Sequence, residues 1–174
     1  LDAVRDLGRA APAAVVLAGA GRSFSTGGDV AAFLAAAERS PSEVAAYAAD
    51  LVGTLHETII ALLRLPCPLV ARVQGAVTGG SAGLVLAADL VAMADNAFLQ
   101  PWYAEVGFGP DGGWTALLPE RIGTARAVAA QALNERIGAV EALRLGLAST
   151  VVPETGLDDA VEAFQLFGAE FPAD

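Results

Sequence analysis

The chain has 174 residues, with 10 basic against 20 acidic side chains, a net charge of −10 and a pI near 4.4. Every basic residue is Arg, which excludes a lysine-bearing phosphate loop, a Schiff-base lysine and a pyridoxal-phosphate site. One His (His56) and one Cys (Cys67) leave no His-rich metal site, zinc knuckle or disulfide framework, and the acidic balance argues against a nucleic-acid partner.

Hydrophobic residues make up 55% and mean hydropathy is +0.52, so a membrane segment has to be considered. The longest charge-free stretch, Val73 to Ala88, is broken by Gln74, Thr78, Ser81 and four glycines. It is too short and too interrupted to span a bilayer, and the spacing of Gly75, Gly79 and Gly83 is then no membrane dimer motif. Much of the hydrophobicity is alanine, as in a buried α/β core. No basic-then-apolar leader opens the chain. A reduced, cytoplasmic setting without a membrane partner is expected, with the natural N-terminus upstream of Leu1.

In chain order, Ala13 to Ala18 reads as a buried strand bounded by Pro12 and Gly19. A glycine-rich loop, Gly19 to Gly28, leads to a helix starting near Asp29. Ser40-Pro41-Ser42-Glu43 opens a helix with Pro in its first turn, running to about Leu65. Val44, Ala48, Leu51, Leu55, Ile59 and Leu62 share one face of it, and Val52, His56, Ile60 and Leu63 form a second stripe. Pro66 and Pro68 end it. Leu69 to Val73 is the next strand, and Gly75 to Gly80 turns the chain into a short apolar helix ending near Ala88. Asp89 to Ala94 is a third strand. After the Asp111-Gly112-Gly113 break come helices around Trp114–Arg121, Thr124–Leu133 and Ala139–Leu145, a strand at Thr150–Val152, and a helix from about Leu157. Strands alternating with helices predict parallel pairing by right-handed crossovers.

Three motifs bear on chemistry. In the first loop the third glycine of a dinucleotide fingerprint would fall on Phe24, where helix packing requires a small residue, so that reading fails. Gly79-Gly80-Ser81-Ala82-Gly83 is literally a nucleophile elbow, which needs His56 to reach Ser81 in space from upstream. Alternatively the two loops act together. Each leads into a helix, and the Gly28 and Gly80 N–H groups can aim at one point as an oxyanion hole for a thioester-derived enolate or tetrahedral oxygen.

Several segments carry a resemblance in order along nearly the whole chain. Ser23-Phe24-Ser25-Thr26-Gly27-Gly28-Asp29-Val30 resembles the crotonase (enoyl-CoA hydratase/isomerase) loop "aFsaGaDl". Pro68 to Ser81 (PLVARVQGAVTGGS) is similar to that family's "kPviAavnGxaxGgG", and Ala88-Asp89-Leu90 to its "cDl". Gly107 to Gly113 with Leu118-Pro119 and Ile122-Gly123 resembles "GlxPdgGxxxxLPrxiG", and Glu141 to Ala148 with Val151-Val152-Pro153 resembles "eAlxxGlvxxVvp". The resemblance implies a crotonase (ClpP/crotonase-like) α/β fold of repeated ββα units. Residues 1–174 would then be one partial core domain, with strands expected before it and helices after it. It further implies an acyl-CoA thioester substrate, no cofactor beyond the coenzyme A of the substrate, no metal, and a homotrimer or hexamer. Gly28 and Gly80 would supply the oxyanion N–H groups, and Phe24, Gly79, Tyr103 and Trp114 would lie at the substrate.

The acid/base residues depart from the hydratase pattern. The two glutamates of a hydratase fall here on Gly83 and, counted without gaps, Tyr103, and neither can move the protons that water addition needs. Glu105 would substitute only if its segment shifts. Asp111 matches the loop aspartate of the isomerase-like branch, where the carboxylate removes a proton and returns it elsewhere. Read locally, Pro-Asp-Gly is also good turn chemistry, and Asp111 could simply cap a helix starting near Gly112. The expected activity is double-bond isomerisation of an enoyl-CoA with Asp111 as base. The alternatives are a 4-chlorobenzoyl-CoA dehalogenase-like hydrolysis using Asp111 and His56, and a non-catalytic acyl-CoA binder. Arg22, Arg64 and Arg72 are equal candidates for the CoA phosphates.

Overall fold

A computed structural model describes residues 1–10 and 12–169. Helix α1 (Asp2–Ala10) lies on the surface, and strand β1 (Val15–Ala18) follows. Asp29 accepts a hydrogen bond from the Ala32 N–H and so caps α2 (Val30–Arg39). Ser40 does the same for Glu43 at the start of α3 (Pro41–Leu63), with Pro41 in the first turn. By length and composition alone α3 is long and apolar enough to cross a membrane, and 11% of its apolar window is buried within the structure. It rests on α1 and α2, with Ile59 and Leu62 entering the core.

The chain then makes two strand–strand–helix units. The first is β2 (Leu69–Val73), β3 (Ala76–Thr78) and, after a tight turn at Gly79–Ser81, α4 (Ala82–Leu86). The second is β4 (Leu90–Ala94), β5 (Phe98–Gln100) and α5 (Tyr103–Val106). Helices α6 (Leu117–Ile122) and α7 (Thr124–Ala132) precede β6 (Ile137–Gly138), α8 (Ala139–Arg144), β7 (Thr150–Val152) and α9 (Leu157–Ala169).

Corresponding strands of the two units are neighbours. The main sheet has the order β1-β2-β4-β7 and is parallel throughout, with Val70 opposite Leu90 and Ala92 opposite Thr150. Val70, Ala71, Val73, Ala92, Met93 and Ala94 are wholly buried in it, the near-continuous apolar runs that a sheet covered on both faces requires. The second sheet pairs β3 with β5 in parallel and β5 with β6 antiparallel. Ser25 adds a single parallel bridge to Val77 of β3, so the first glycine loop behaves as a stub of strand in that second sheet. This is the crotonase-type arrangement of ββα units.

The differences from expectation are local. Strand β3 interrupts what reads as one turn between Gly75 and Gly80, and β5, β6 and α1 carry no sequence signal strong enough to mark them. The helix expected from Trp114 begins at Leu117, because Gly112 (φ +53°) and Gly113 (φ +86°) hold the intervening residues in turns.

Candidate active site

Three segments leave the C-terminal ends of adjacent parallel elements in the second sheet, and this places their loops side by side. The stub at Ser25 leads to Gly28, β3 leads to Gly80, and β5 leads to Tyr103. Ser25 is zipped to β3 by its N–H on the Ala76 carbonyl (3.1 Å) and by the Thr78 N–H on its own carbonyl (3.1 Å). Gly27 has φ +93°, and a methyl there would stand 3.1 Å from the Thr78 carbonyl oxygen, so the two loops touch backbone to backbone.

Helix α3 covers both loops with residues four apart. A methyl on Gly28 would meet Leu51 at 3.4 Å, one on Gly80 would meet Leu55 at 2.6 Å, and one on Gly83 would meet Ile59 at 2.5 Å. One stripe of the helix therefore sits over three glycines of the site. Among the described residues neither the Gly28 nor the Gly80 N–H donates to a protein acceptor. Gly80 is in the opening turn of a short 3₁₀ helix, where such groups have no intrahelical partner.

Asp111 closes the site from the other side. It is half-buried, and its Oδ1 lies 2.8 Å from where a Cβ on Gly80 would stand. The buried Tyr103 hydroxyl donates to that same Oδ1. Burial first, and then this contact with the carboxylate, raises the Tyr103 phenol above its ordinary pKa. The helix-cap reading of Asp111 is corrected here: α6 starts six residues later without a side-chain cap, and the carboxylate faces Tyr103 instead.

The hydratase position at Gly83 is physically closed. A Cβ there would lie 2.0 Å from the Gly112 carbonyl oxygen as well as 2.5 Å from Ile59, so no longer side chain fits without displacing backbone. Glu105 is engaged elsewhere, accepting from Asn134 Nδ2 at 3.3 Å.

The nucleophile-elbow reading does not survive. Ser81 Oγ donates to the Thr78 carbonyl at 2.7 Å, within 3.4 Å of the Ser25 carbonyl, and its backbone is ordinary right-handed helix (φ −64°, ψ −19°). An elbow serine needs a strained turn and a free hydroxyl. His56 is exposed on α3, and its Nε2 accepts the Gly112 N–H at 3.4 Å. That brings it next to Asp111 in the chain, with the imidazole nitrogen facing a backbone donor.

Two residues expected at the substrate are buried in the scaffold instead. Trp114 is wholly buried and donates its indole N–H to the Gly79 carbonyl at 2.8 Å, fixing the turn that presents Gly80. Phe24 joins the core and its N–H bonds the Gln74 carbonyl at 2.7 Å. Gly79 (φ +56°) has open space where a side chain would be. Of the arginines, Arg72 pairs with Asp158 at 2.6 Å, whereas Arg22 and Arg64 are exposed. Among the described residues no group of three His, Cys, Asp or Glu is placed to hold a metal ion.

Three side chains around the site have weak sequence signals. Leu51 and Leu55 are visible only as part of an apolar helix face, and Phe33, whose ring is 3.6 Å from a methyl built at Gly28, is an isolated aromatic in α2. Phe33 packs edge-on to Tyr47 (4.9 Å) and tilted against Phe108 (5.4 Å), forming an aromatic cluster at the Gly28 side.

A family model described as Enoyl-CoA hydratase/isomerase matches residues 4–167. The chain belongs to the enoyl-CoA hydratase/isomerase family. A Rhodobacter capsulatus protein described as a probable enoyl-CoA hydratase is 36% identical over 149 residues, which are 83% of this chain and 54% of that protein. The human mitochondrial Delta(3,5)-Delta(2,4)-dienoyl-CoA isomerase is 34% identical over 146 residues, 81% of this chain and 44% of the isomerase. The solved structure of a monofunctional enoyl CoA isomerase from M. smegmatis superposes with a TM-score of 0.75 at 31% identity, covering 98% of this chain and 69% of the other. The chain spans about half the length of these curated relatives.

Proposed function

We propose that this family member isomerises an enoyl-CoA thioester and does not hydrate one. The observation that carries the reading is the pairing of one available carboxylate, Asp111 beside Gly80, with a filled space at Gly83. Water addition needs one group to activate water and a second to deliver a proton. A 1,3-proton shift needs only one.

In this reading the thioester oxygen sits against the Gly28 and Gly80 N–H groups. The Asp111 carboxylate takes a proton from C2 of a 3-enoyl thioester. The C–H electron pair enters the conjugated dienolate, whose negative oxygen the two N–H groups stabilise. The same carboxyl returns the proton to C4, and the double bond moves from C3–C4 to C2–C3. Atoms and charge balance with no co-reactant. The relatives described as an enoyl CoA isomerase and a dienoyl-CoA isomerase support this class of reaction, and the relative described as a hydratase shows that the family is not limited to it.

The test is conversion of 3-hexenoyl-CoA to the conjugated 2-enoyl thioester, followed by absorbance. Asp111→Asn is expected to lower turnover by roughly 10²- to 10⁴-fold, the usual contribution of a positioned base. Undiminished turnover in Asp111→Asn would overturn the mechanism. The nearness of His56 to Asp111 keeps the dehalogenase-like reading in view. Hydrolysis of 4-chlorobenzoyl-CoA by the wild type, lost in His56→Gln, would favour it over isomerisation. Tight acyl-CoA binding with no turnover of either probe would identify a binding homologue.

A further inference from the structure

Tyr103 stands where a glutamate would serve a hydratase, and its surroundings give it a different task. Its ring is buried, its hydroxyl donates to Asp111 Oδ1, and that hydroxyl lies 3.6 Å from the place a Gly80 Cβ would occupy. Asp111 itself belongs to a Pro-Asp-Gly-Gly loop that offers its carboxylate no helix N–H. Among the hydrogen bonds of the described residues, Tyr103 is its side chain's single partner, and Oδ2 has none. The phenol therefore holds one carboxylate oxygen and leaves the other open.

The turn that presents Tyr103 is itself held under strain. Trp102 has φ +64°, a left-handed conformation costly for a bulky residue. Its N–H donates to Asn134 Oδ1 at 2.8 Å. Asn134, also left-handed at φ +48°, receives Gln100 Nε2 on its carbonyl at 3.2 Å and reaches Glu105 with its Nδ2 at 3.3 Å. One residue in the turn just beyond α7 thus fastens the last residue of β5, the strained Trp102 and the first turn of α5.

We propose that Tyr103 is a positioning residue that orients the Asp111 carboxylate for proton transfer, and that Asn134 acts through Tyr103 by clamping the left-handed turn at Trp102. This inference rests on the reading of Asp111 as the base. Free rotation of a short carboxylate side chain misplaces its oxygens by the ångström or so that costs a reaction about 10²-fold, and the Tyr103 hydroxyl suppresses that rotation. The Tyr103 ring was expected to touch substrate. In this arrangement it touches the group that touches substrate.

The experiment compares the wild-type chain with Tyr103→Phe, Asn134→Gly and the double variant, using 3-hexenoyl-CoA. Glycine at 134 retains the left-handed backbone and removes only the side chain. Tyr103→Phe is expected to lower kcat roughly 10- to 100-fold with KM within about twofold. Asn134→Gly is expected to lower kcat about 3- to 10-fold, and the double variant should be no worse than Tyr103→Phe, the non-additivity of residues acting in one chain. Tyr103→Phe within twofold of wild type, while Asp111→Asn is inactive, overturns this proposal and leaves the base assignment standing. An active Asp111→Asn overturns the base assignment itself. A double variant falling by the product of the two singles overturns the role of Asn134.

Ultraviolet titration of the chain's two tyrosines supplies a readout without substrate. One phenol should ionise only well above the ordinary tyrosine range. That late phenol should vanish in Tyr103→Phe and move downward in Asp111→Asn, which removes the negative charge beside it while burial, the largest cause, stays. No movement in Asp111→Asn would show that the contact is absent, and the proposal would fall.

Discussion

Gly28 and Gly80 lie one turn apart beneath α3, yet their loops are packed by different materials. The loop ending at Gly28 is tight at its start, where a methyl on Gly19 would stand 2.3 Å from the Phe24 carbonyl oxygen, and relaxes toward its end. Gly28 is exposed, and its neighbours are the ends of two side chains, Leu51 at 3.4 Å and Phe33 at 3.6 Å. In the second loop glycine meets glycine. Gly112 is pressed against the Gly80 backbone and Gly83 against the Gly112 carbonyl, all inside 3 Å of an added Cβ. Backbone contacts of that kind cannot adjust, whereas side-chain ends can. The second loop thus fixes Asp111 relative to Gly80, whereas Gly28, at the end of the first, borders only side chains that can shift.

The largest effect is expected from Gly112→Ala. The new methyl would lie 2.3 Å from the Gly80 carbonyl oxygen and 2.4 Å from its Cα, at φ +53°. Overpacking and left-handed strain together should cost roughly 4 kcal/mol or more, read as a collapse of the urea midpoint. Gly83→Glu should behave similarly and yield unfolded protein, not a hydratase. A folded, hydrating Gly83→Glu would break the comparison, because the second loop would then have to yield as readily as the first.

Gly80→Ala is the intermediate case. Leu55 can rotate away from 2.6 Å, but Asp111 Oδ1 at 2.8 Å cannot move without leaving Tyr103. A stability loss of about 1–3 kcal/mol is expected, together with a disproportionate loss of isomerisation. Trp114→Phe should cost a similar ~1–3 kcal/mol, by leaving the Gly79 carbonyl without its donor. Calorimetry alongside turnover separates the two variants. Trp114→Phe should track stability, and Gly80→Ala should lose activity beyond it.

The sequence was legible where periodicity or local chemistry is strong. Leu69–Val73 and Thr150–Val152 are strands as read, Ser40 and Asp29 are caps, and α9 starts at Leu157. The parallel order follows from the alternation of elements. Strands β3, β5 and β6, of two or three residues each, are too short to display a period of two. Their existence depends on pairing with one another. At the site, the missing hydratase glutamates are visible as Gly83 and Tyr103. That Gly112 fills the space at Gly83 is a contact across 29 positions of chain and has no local signature. The Tyr103–Asp111 bond spans eight residues across a turn, a separation that neither helix nor strand spacing marks. Trp114 reads equally as pocket or core, and only its bond to the Gly79 carbonyl decides it.

The smallest effect should come from Gly28→Ala, and it bears most directly on the difference between the loops. The methyl would meet Leu51 at 3.4 Å, an ordinary contact, and Phe33 at 3.6 Å. Gly28 is not held in the left-handed region, so alanine adds no backbone strain and reduces the freedom of the unfolded chain. Stability should stay within about 0.5 kcal/mol of wild type. The N–H proposed to hold the thioester oxygen is retained in alanine, so turnover of 3-hexenoyl-CoA should change by less than about threefold, a barrier change under ~0.7 kcal/mol. The same substitution at Gly80 changes the distance between the second N–H and the base. A Gly28→Ala variant as damaged as Gly80→Ala would mean that the first loop is as rigid as the second, with the packed rings of Phe33, Tyr47 and Phe108 holding it as firmly as backbone holds Gly80.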